Sequence, residues 1–88
     1  MTVDRQVLPP PDRLTLWPVE GGRFGLDAAF GGAFGKTYAK EHRSALRAGG
    51  LKSSMRSQRD VDDETWTLRL GPLTADAART AVEAFLGL

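Results

Sequence analysis

The stretch 64–88 predicts a strand followed directly by a helix, and this pair constrains the fold more than any other part of the chain. Apolar and polar side chains alternate through its first half, as they do in a strand that buries one face. The apolar set is Trp66, Leu68 and Leu70, and the polar set is Thr65, Thr67 and Arg69. Because proline has no N–H for a ladder hydrogen bond, we expect Gly71-Pro72 to end this strand.

A helix should follow, because apolar residues then recur every three to four positions and share one face. Thr74 is the expected N-cap, and Asp76 lies in the first turn, where negative charge is favourable. Gly87 is the expected stop. The apolar face consists of Ala78, Ala81, Val82, Phe85 and Leu86.

Three further strands are predicted by alternation and by turn residues. The first covers 14–19 and contains Pro18, which favours an edge position. A tight turn at Gly21-Gly22 leads into a short returning strand over 23–26. Residues 51–59 predict a polar strand, and the acidic run 60–64 predicts the turn after it.

The middle of the chain predicts the second helix. It should begin at Ala33 or Phe34 and end at Ala48, where Gly49-Gly50 follows. At about 100° per residue, its expected apolar side holds Phe34, Tyr38 and Ala45, with His42 and Leu46 at the edge.

These elements predict one α+β domain over residues 13–88, preceded by an irregular Pro-rich arm, 1–12. Three or four strands should form a two-layer structure with both helices packed on one face of an antiparallel sheet, in the order ββαββα or βαββα. The expected core consists of Trp66, Leu68, Leu70, Ala78, Ala81, Val82, Phe85, Phe34, Tyr38 and Leu46.

Length and composition limit the function classes. The 88 residues suffice for a single small domain with little room for an internal substrate cavity. The chain has no cysteine, which excludes disulfides and thiolate metal sites. It has no apolar run that could span a bilayer and no signal-peptide core. We therefore predict a soluble cytoplasmic protein, and the high Ala, Gly and Arg usage is typical of a bacterial or phage gene.

Positive charge is concentrated in the middle of the chain. Residues 36–59 carry seven Lys or Arg against one acid, whereas the two flanks are acidic. On a helix, four of these cations fall within about 60° of each other, opposite the apolar side, with no acid between them. They are Lys36, Lys40, Arg43 and Arg47, and Lys52 and Arg56 on the following strand are candidate extensions of the patch. Like charges repel, so the stripe predicts an anionic partner.

No other motif in the sequence identifies a catalytic, cofactor or metal site. Gly35-Lys36-Thr37 resembles the end of a phosphate-binding P-loop, but Phe30 stands where that motif requires glycine. His42 is the one histidine, and a metal site needs three or four ligands. We expect neither a metal, nor a cofactor, nor an enzyme.

Residues 65–86 resemble the second half of the SPOR domain, in which a strand with a Gly-Pro pair leads through a short loop into an Ala-rich helix. The resemblance implies a small α+β unit with an antiparallel sheet and helices on one side. It also implies binding to stripped glycan strands of peptidoglycan.

Three binding hypotheses follow. The first is a protein that contacts nucleic-acid phosphates through the basic stripe with little sequence specificity. The alternative is a bacterial or phage regulator or inhibitor that docks the stripe on an acidic protein surface, and the third is a SPOR-like glycan binder. We also expect a homodimer through the open sheet face, which would carry Thr65, Thr67 and Arg69, together with Trp17 if its side chain takes that face.

Overall fold

The computed structural model describes residues 8–59, 61 and 63–87. In this part of the chain it shows one four-stranded antiparallel sheet and two helices, in the predicted order ββαββα. The elements are β1 (Arg13–Val19), β2 (Arg23–Phe30), α1 (Gly35–Ala48), β3 (Ser54–Arg59), β4 (Glu64–Leu73) and α2 (Ala75–Leu86). The α+β prediction is confirmed.

The sheet order is β1-β2-β4-β3, so the two ββα units, 13–48 and 54–86, are arranged around a pseudo-twofold axis between the central strands. β2 and β4 run antiparallel to each other, and each has its hairpin partner on the outside. α1 packs mainly against β4, and α2 packs mainly against β2. Both helices cover the same face of the sheet, and the other face is open.

The core lies between this covered face and the helices. Its buried members are Leu26, Ala28, Phe30, Ala39, Leu46, Leu68, Leu70, Ala81 and Phe85, and Ala78 is buried as well. Trp66, Tyr38 and Val82, also predicted for the core, are half-buried and pack against it. Most of the predicted core is therefore confirmed, but the buried side of β2 was missed. The predicted strand over 23–26 is too short, because β2 continues to Phe30.

One predicted core residue is wrong. Phe34 is 64% exposed, because it precedes α1 as its N-cap and does not lie on the buried side. The buried line of α1 runs instead through Gly35, Ala39, His42 and Leu46. A Cβ at Gly35 would stand 2.7 Å from the Phe30 carbonyl oxygen, so the missing side chain lets the helix begin close to the end of β2.

The Gly-Pro pair does not end β4, which corrects a second prediction. The strand continues to Leu73, which pairs with Phe24. The register shifts by one residue between Phe24 and Leu26, so β4 carries one additional residue at Gly71-Pro72, as in a β-bulge. The caps of α2 are confirmed: the Ala77 N–H donates to Thr74 Oγ1 at 3.2 Å, and Gly87 is left-handed.

The strand predicted over 51–59 begins only at Ser54, because residues 51–53 complete the turn after α1. Of the predicted acidic turn, Asp60 and Asp62 lie outside the described residues, as does the arm 1–7. The described end of the arm is docked on the domain. His42 Nε2 donates to the Pro9 carbonyl at 2.6 Å, and the Asp12 N–H donates to the Ala29 carbonyl at 2.8 Å.

Candidate anion-binding site

The cations of α1 lie on one flank of the helix and not on the side opposite the core. Their mean direction is about 100° from the buried line, at 3.6 residues per turn. Lys36 marks the direction in which this flank faces, because its Nζ lies 5.2 Å from the ring centroid of Trp66 in β4. The flank therefore begins over β4, and at its other end Arg43 and Arg47 lie beside Lys52 and Ser53, which lead into the edge strand β3.

The contact with an aromatic ring distinguishes Lys36 from the other cations of this flank. A cation over an indole ring contributes about 0.5–1 kcal/mol at an exposed site. The contact places the ammonium group against the protein, so Lys36 is held at the start of the flank. The remaining cations lie further along α1, towards its C-terminal end.

Two adjoining clefts lie at that end of the helix. One has a volume of about 520 Å³ and is lined by Arg43, Arg47, Gly50, Lys52 and Ser53. The second has a volume of about 250 Å³ and is lined by Lys40, Arg43, Ser44 and Arg47. Arg43 and Arg47 belong to both. We refer to Lys40, Arg43, Arg47 and Lys52 as the basic cluster and to the larger cleft as the cluster cleft.

The turn after α1 brings Lys52 and Ser53 beside the helix. The Leu51 N–H donates to the Leu46 carbonyl at 2.9 Å, and the Gly50 N–H donates to the Arg47 carbonyl at 3.0 Å. Gly50 has φ +87°. These bonds form a Schellman motif, in which a left-handed residue reverses the chain after the last helical turn. Lys52 and Ser53 therefore return alongside the turn that carries Arg43 and Arg47.

The basic cluster has no carboxylate partner among the described residues. The ion pairs found in this part of the chain are Arg59 with Glu64 and Arg69 with Asp27. In addition, Arg43 Nε and Ser53 Oγ are buried and have no hydrogen-bond partner within residues 8–59, 61 and 63–87. Buried polar atoms in folded proteins are nearly always bonded, so these two atoms indicate a bonding group that residues 8–59, 61 and 63–87 do not supply.

Five of the six predicted basic residues lie on this flank, and the sixth, Arg56, does not. Arg56 pairs with Thr67 in the sheet, whereas its neighbour Met55 packs against the core. The Arg56 side chain therefore lies on the open face, away from the basic cluster. Ser53 and Gly50 line the cluster cleft but were not among the predicted site residues. The glycine pair after the predicted helix could have indicated them, because it predicts that the chain turns back there.

The four residues predicted for the open face are all found there. Register places Trp17 opposite Gly25 and Thr67 opposite Ala29. Arg69 donates from Nε and Nη2 to the two carboxylate oxygens of Asp27, both at 2.9 Å. These hydrogen bonds, and then the negative charge of Asp27, raise the pKa of Arg69. Thr65 is the fourth of these residues and pairs with Gln58.

The Arg69 guanidinium also lies over the indole of Trp17, with Cζ 5.3 Å from the ring centroid. A cleft of about 450 Å³ lies beside this pair and is bordered by Leu70, Gly71 and Pro72. Trp17 is half-buried as a result. The open face therefore presents an indole partly covered by a guanidinium whose charge Asp27 already neutralises.

The described part of the chain contains no group of three or more His, Asp or Glu side chains placed to hold a metal ion. Neither helix in it is long and apolar enough to cross a membrane.

Comparisons with protein-family models, curated proteins and solved structures gave no match. The SPOR likeness of residues 65–86 therefore stays a resemblance of that segment.

Proposed function

We propose that this protein binds nucleic acid by contacting backbone phosphates with the basic cluster and Lys36. The observation that carries the proposal is the convergence of Arg43, Arg47 and Lys52 on one cleft with no carboxylate partner among the described residues. Unpaired cations repel one another, and phosphates along a strand would relieve that repulsion.

The composition of the clefts favours nucleic acid over an acidic protein surface. Protein interfaces derive most of their affinity from buried aromatic and other large anchors. The two clefts are lined by cations, serine and glycine, with no aromatic ring. The exposed Phe34 stands at the start of α1, on the flank opposite the cations by helical spacing.

Binding should depend little on base sequence. Asn and Gln read adenine in the major groove, but the chain has no Asn, and its Gln residues are Gln6 and Gln58. Gln58 pairs with Thr65 on the open face, away from the basic cluster. The basic cluster therefore has no adenine-reading side chain, and we assign its arginines and lysines to phosphates, which fix position without reading sequence.

Salt dependence tests the proposal directly. With the four cations of the basic cluster each neutralising one phosphate of duplex DNA, and with Lys36 left over the Trp66 ring, the logarithm of affinity should fall against the logarithm of salt concentration with a slope of about −3.6. Between about 50 and 200 mM salt this corresponds to a loss of roughly a hundredfold. Fluorescence anisotropy with labelled duplexes of unrelated sequence measures both the slope and the lack of specificity.

A charge-reversal pair locates the surface. Lys40→Glu with Arg47→Glu should abolish binding, because both side chains are exposed and line the clefts. The matched control is Arg56→Glu with Arg79→Glu, which makes the same change of net charge on β3 and α2. If both pairs weaken binding equally, or if the parent protein binds neither DNA nor RNA at about 50 mM salt, the proposal is wrong. Retention of an acidic protein in place of nucleic acid would support the alternative partner.

A further inference from the structure

The cluster cleft differs from the rest of the basic flank in having buried hydrogen-bonding atoms as well as charge. Arg43 Nε and Ser53 Oγ are both buried, and neither has a partner among the described residues. Both residues line this cleft. Arg43 and Ser53 are half-buried residues that line this cleft, and a ligand in the cleft would give their covered polar atoms the partner that the described residues do not supply.

A tetrahedral oxyanion matches these groups. An N–H and a hydroxyl can each donate to a phosphate oxygen, and hydrogen bonds to charged acceptors are about twice as strong as neutral ones. Arg47 and Lys52 add two charges around the same space. One bound phosphate would therefore satisfy both buried atoms and offset much of the charge of three cations.

The amount of charge indicates which kind of phosphate fits. An internal phosphodiester carries one negative charge, whereas a phosphate monoester carries about −1.5 to −2 at neutral pH. The C-terminal end of α1 contributes a partial negative charge of about half a unit nearby, which accounts for the stability of one cation there but not of three. The remaining positive charge matches a monoester better than a diester.

The position of the cleft fits the end of a strand. It lies at one end of the basic flank, and Lys40 and Lys36 continue from it along α1. From residue 36 to residue 47 the helix rises about 16 Å. At about 3.4 Å per nucleotide along a strand, this length accompanies about five nucleotides.

We propose that the cluster cleft binds the terminal phosphate monoester of a nucleic-acid strand, with Arg43 and Ser53 donating to it and Arg47 and Lys52 neutralising its charge. Lys40 and Lys36 then follow internal phosphates. This inference rests on the proposed function and adds a preference for phosphorylated ends.

The test compares three single-stranded oligonucleotides of one sequence, about ten nucleotides long, with a 5′-phosphate, a 3′-phosphate or no terminal phosphate. Anisotropy should show about tenfold tighter binding of one phosphorylated form, as one additional charged hydrogen bond provides. The two phosphorylated arms identify which end is bound. Inorganic phosphate in millimolar amounts, on the order of a weak single-group ligand, should remove the preference.

Ser53→Ala should remove the preference and leave binding of the unphosphorylated strand within about twofold, since Ser53 carries no charge and is not part of the basic cluster. Arg43→Lys should remove the preference as well, and because Arg43 belongs to the basic cluster its binding to all three strands should weaken. Ser54→Ala and Arg56→Lys are the matched controls and should keep the preference, because both residues lie on the open face. Ser53→Ala keeps the test valid if Arg43→Lys does not fold. Equal binding of all three strands by the parent would overturn this inference and leave the proposed function standing. Absence of binding to any strand at about 50 mM salt would overturn both.

Discussion

The indole ring of Trp17 occupies the space over Gly25 in which a side chain would otherwise stand. A methyl group built on Gly25 would overlap the six-membered part of the ring, at Cε2 and Cζ2. The two residues are paired across β1 and β2. Glycine at this position therefore lets the indole lie against the sheet, within reach of the Arg69 guanidinium.

Gly25→Ala should displace the indole and destabilise the domain by about 1–3 kcal/mol, which is the usual cost of adding a group where there is no space for it. Denaturant unfolding measures this cost. In a Trp17→Ala background the same change should cost much less, because the overlapping ring is gone. Equal costs in the two backgrounds would show that the ring does not lie over Gly25.

The free energy of unfolding should distinguish two phenylalanines that the sequence pattern treated alike. Phe85 is 1% exposed in the centre of the core, so Phe85→Ala should cost about 3–5 kcal/mol. Phe34→Ala is the matched control and should change stability by about 0.5 kcal/mol or less, as is usual for a surface side chain. Denaturant unfolding of both variants checks this. Similar losses of stability at the two positions would contradict the finding that Phe34 lies outside the core.

The turn after α1 should tolerate a side chain at one glycine and not at the next. Gly50 has φ +87°, so Gly50→Ala should cost about 1–2 kcal/mol from backbone strain alone, because its added Cβ would meet no atom within 4 Å. Binding to DNA should weaken as well, since Lys52 and Ser53 follow this residue. Gly49→Ala is the control, because Gly49 has φ −87° and its added Cβ would make only ordinary contacts. A binding loss for Gly49→Ala equal to that for Gly50→Ala would show that the left-handed turn does not organise the site.

The open face is expected to pair two copies of the chain. Light scattering in the micromolar range should give twice the monomer mass, because Trp17 and the cleft beside it form an apolar surface next to the edge strand β1. Thr67→Glu places a charge in the middle of this face and should give monomers. Thr37→Glu, on the exposed side of α1, should leave the mass unchanged. A monomer mass for the parent protein across this range would reject the prediction.

Much of the second ββα unit could be predicted because its signals are local. Thr74 caps α2 by accepting a hydrogen bond from Ala77, three residues later in the chain. Leu68 and Leu70 alternate with polar residues on one strand. The spacing of Lys40, Arg43 and Arg47 on one flank follows from helix geometry alone. In each case the information lies within a few residues of the feature.

The parts that could not be predicted depend on residues far apart in the chain. The predicted strand over 23–26 stops short of Asp27, which faces the open side of β2 and pairs with Arg69, 42 residues later. The direction of Arg56 is decided by its register with Thr67.

Local periodicity determined which residues of this protein share a face, including the four α1 cations. Tertiary packing decided which face is buried, because that depends on how closely each element can approach its neighbours. Gly35 and Ala39 allow α1 to lie against the sheet along a line that leaves Phe34 outside. The same packing turned the cations towards the β3 edge, where the turn at Gly50 completes the cleft with Lys52 and Ser53.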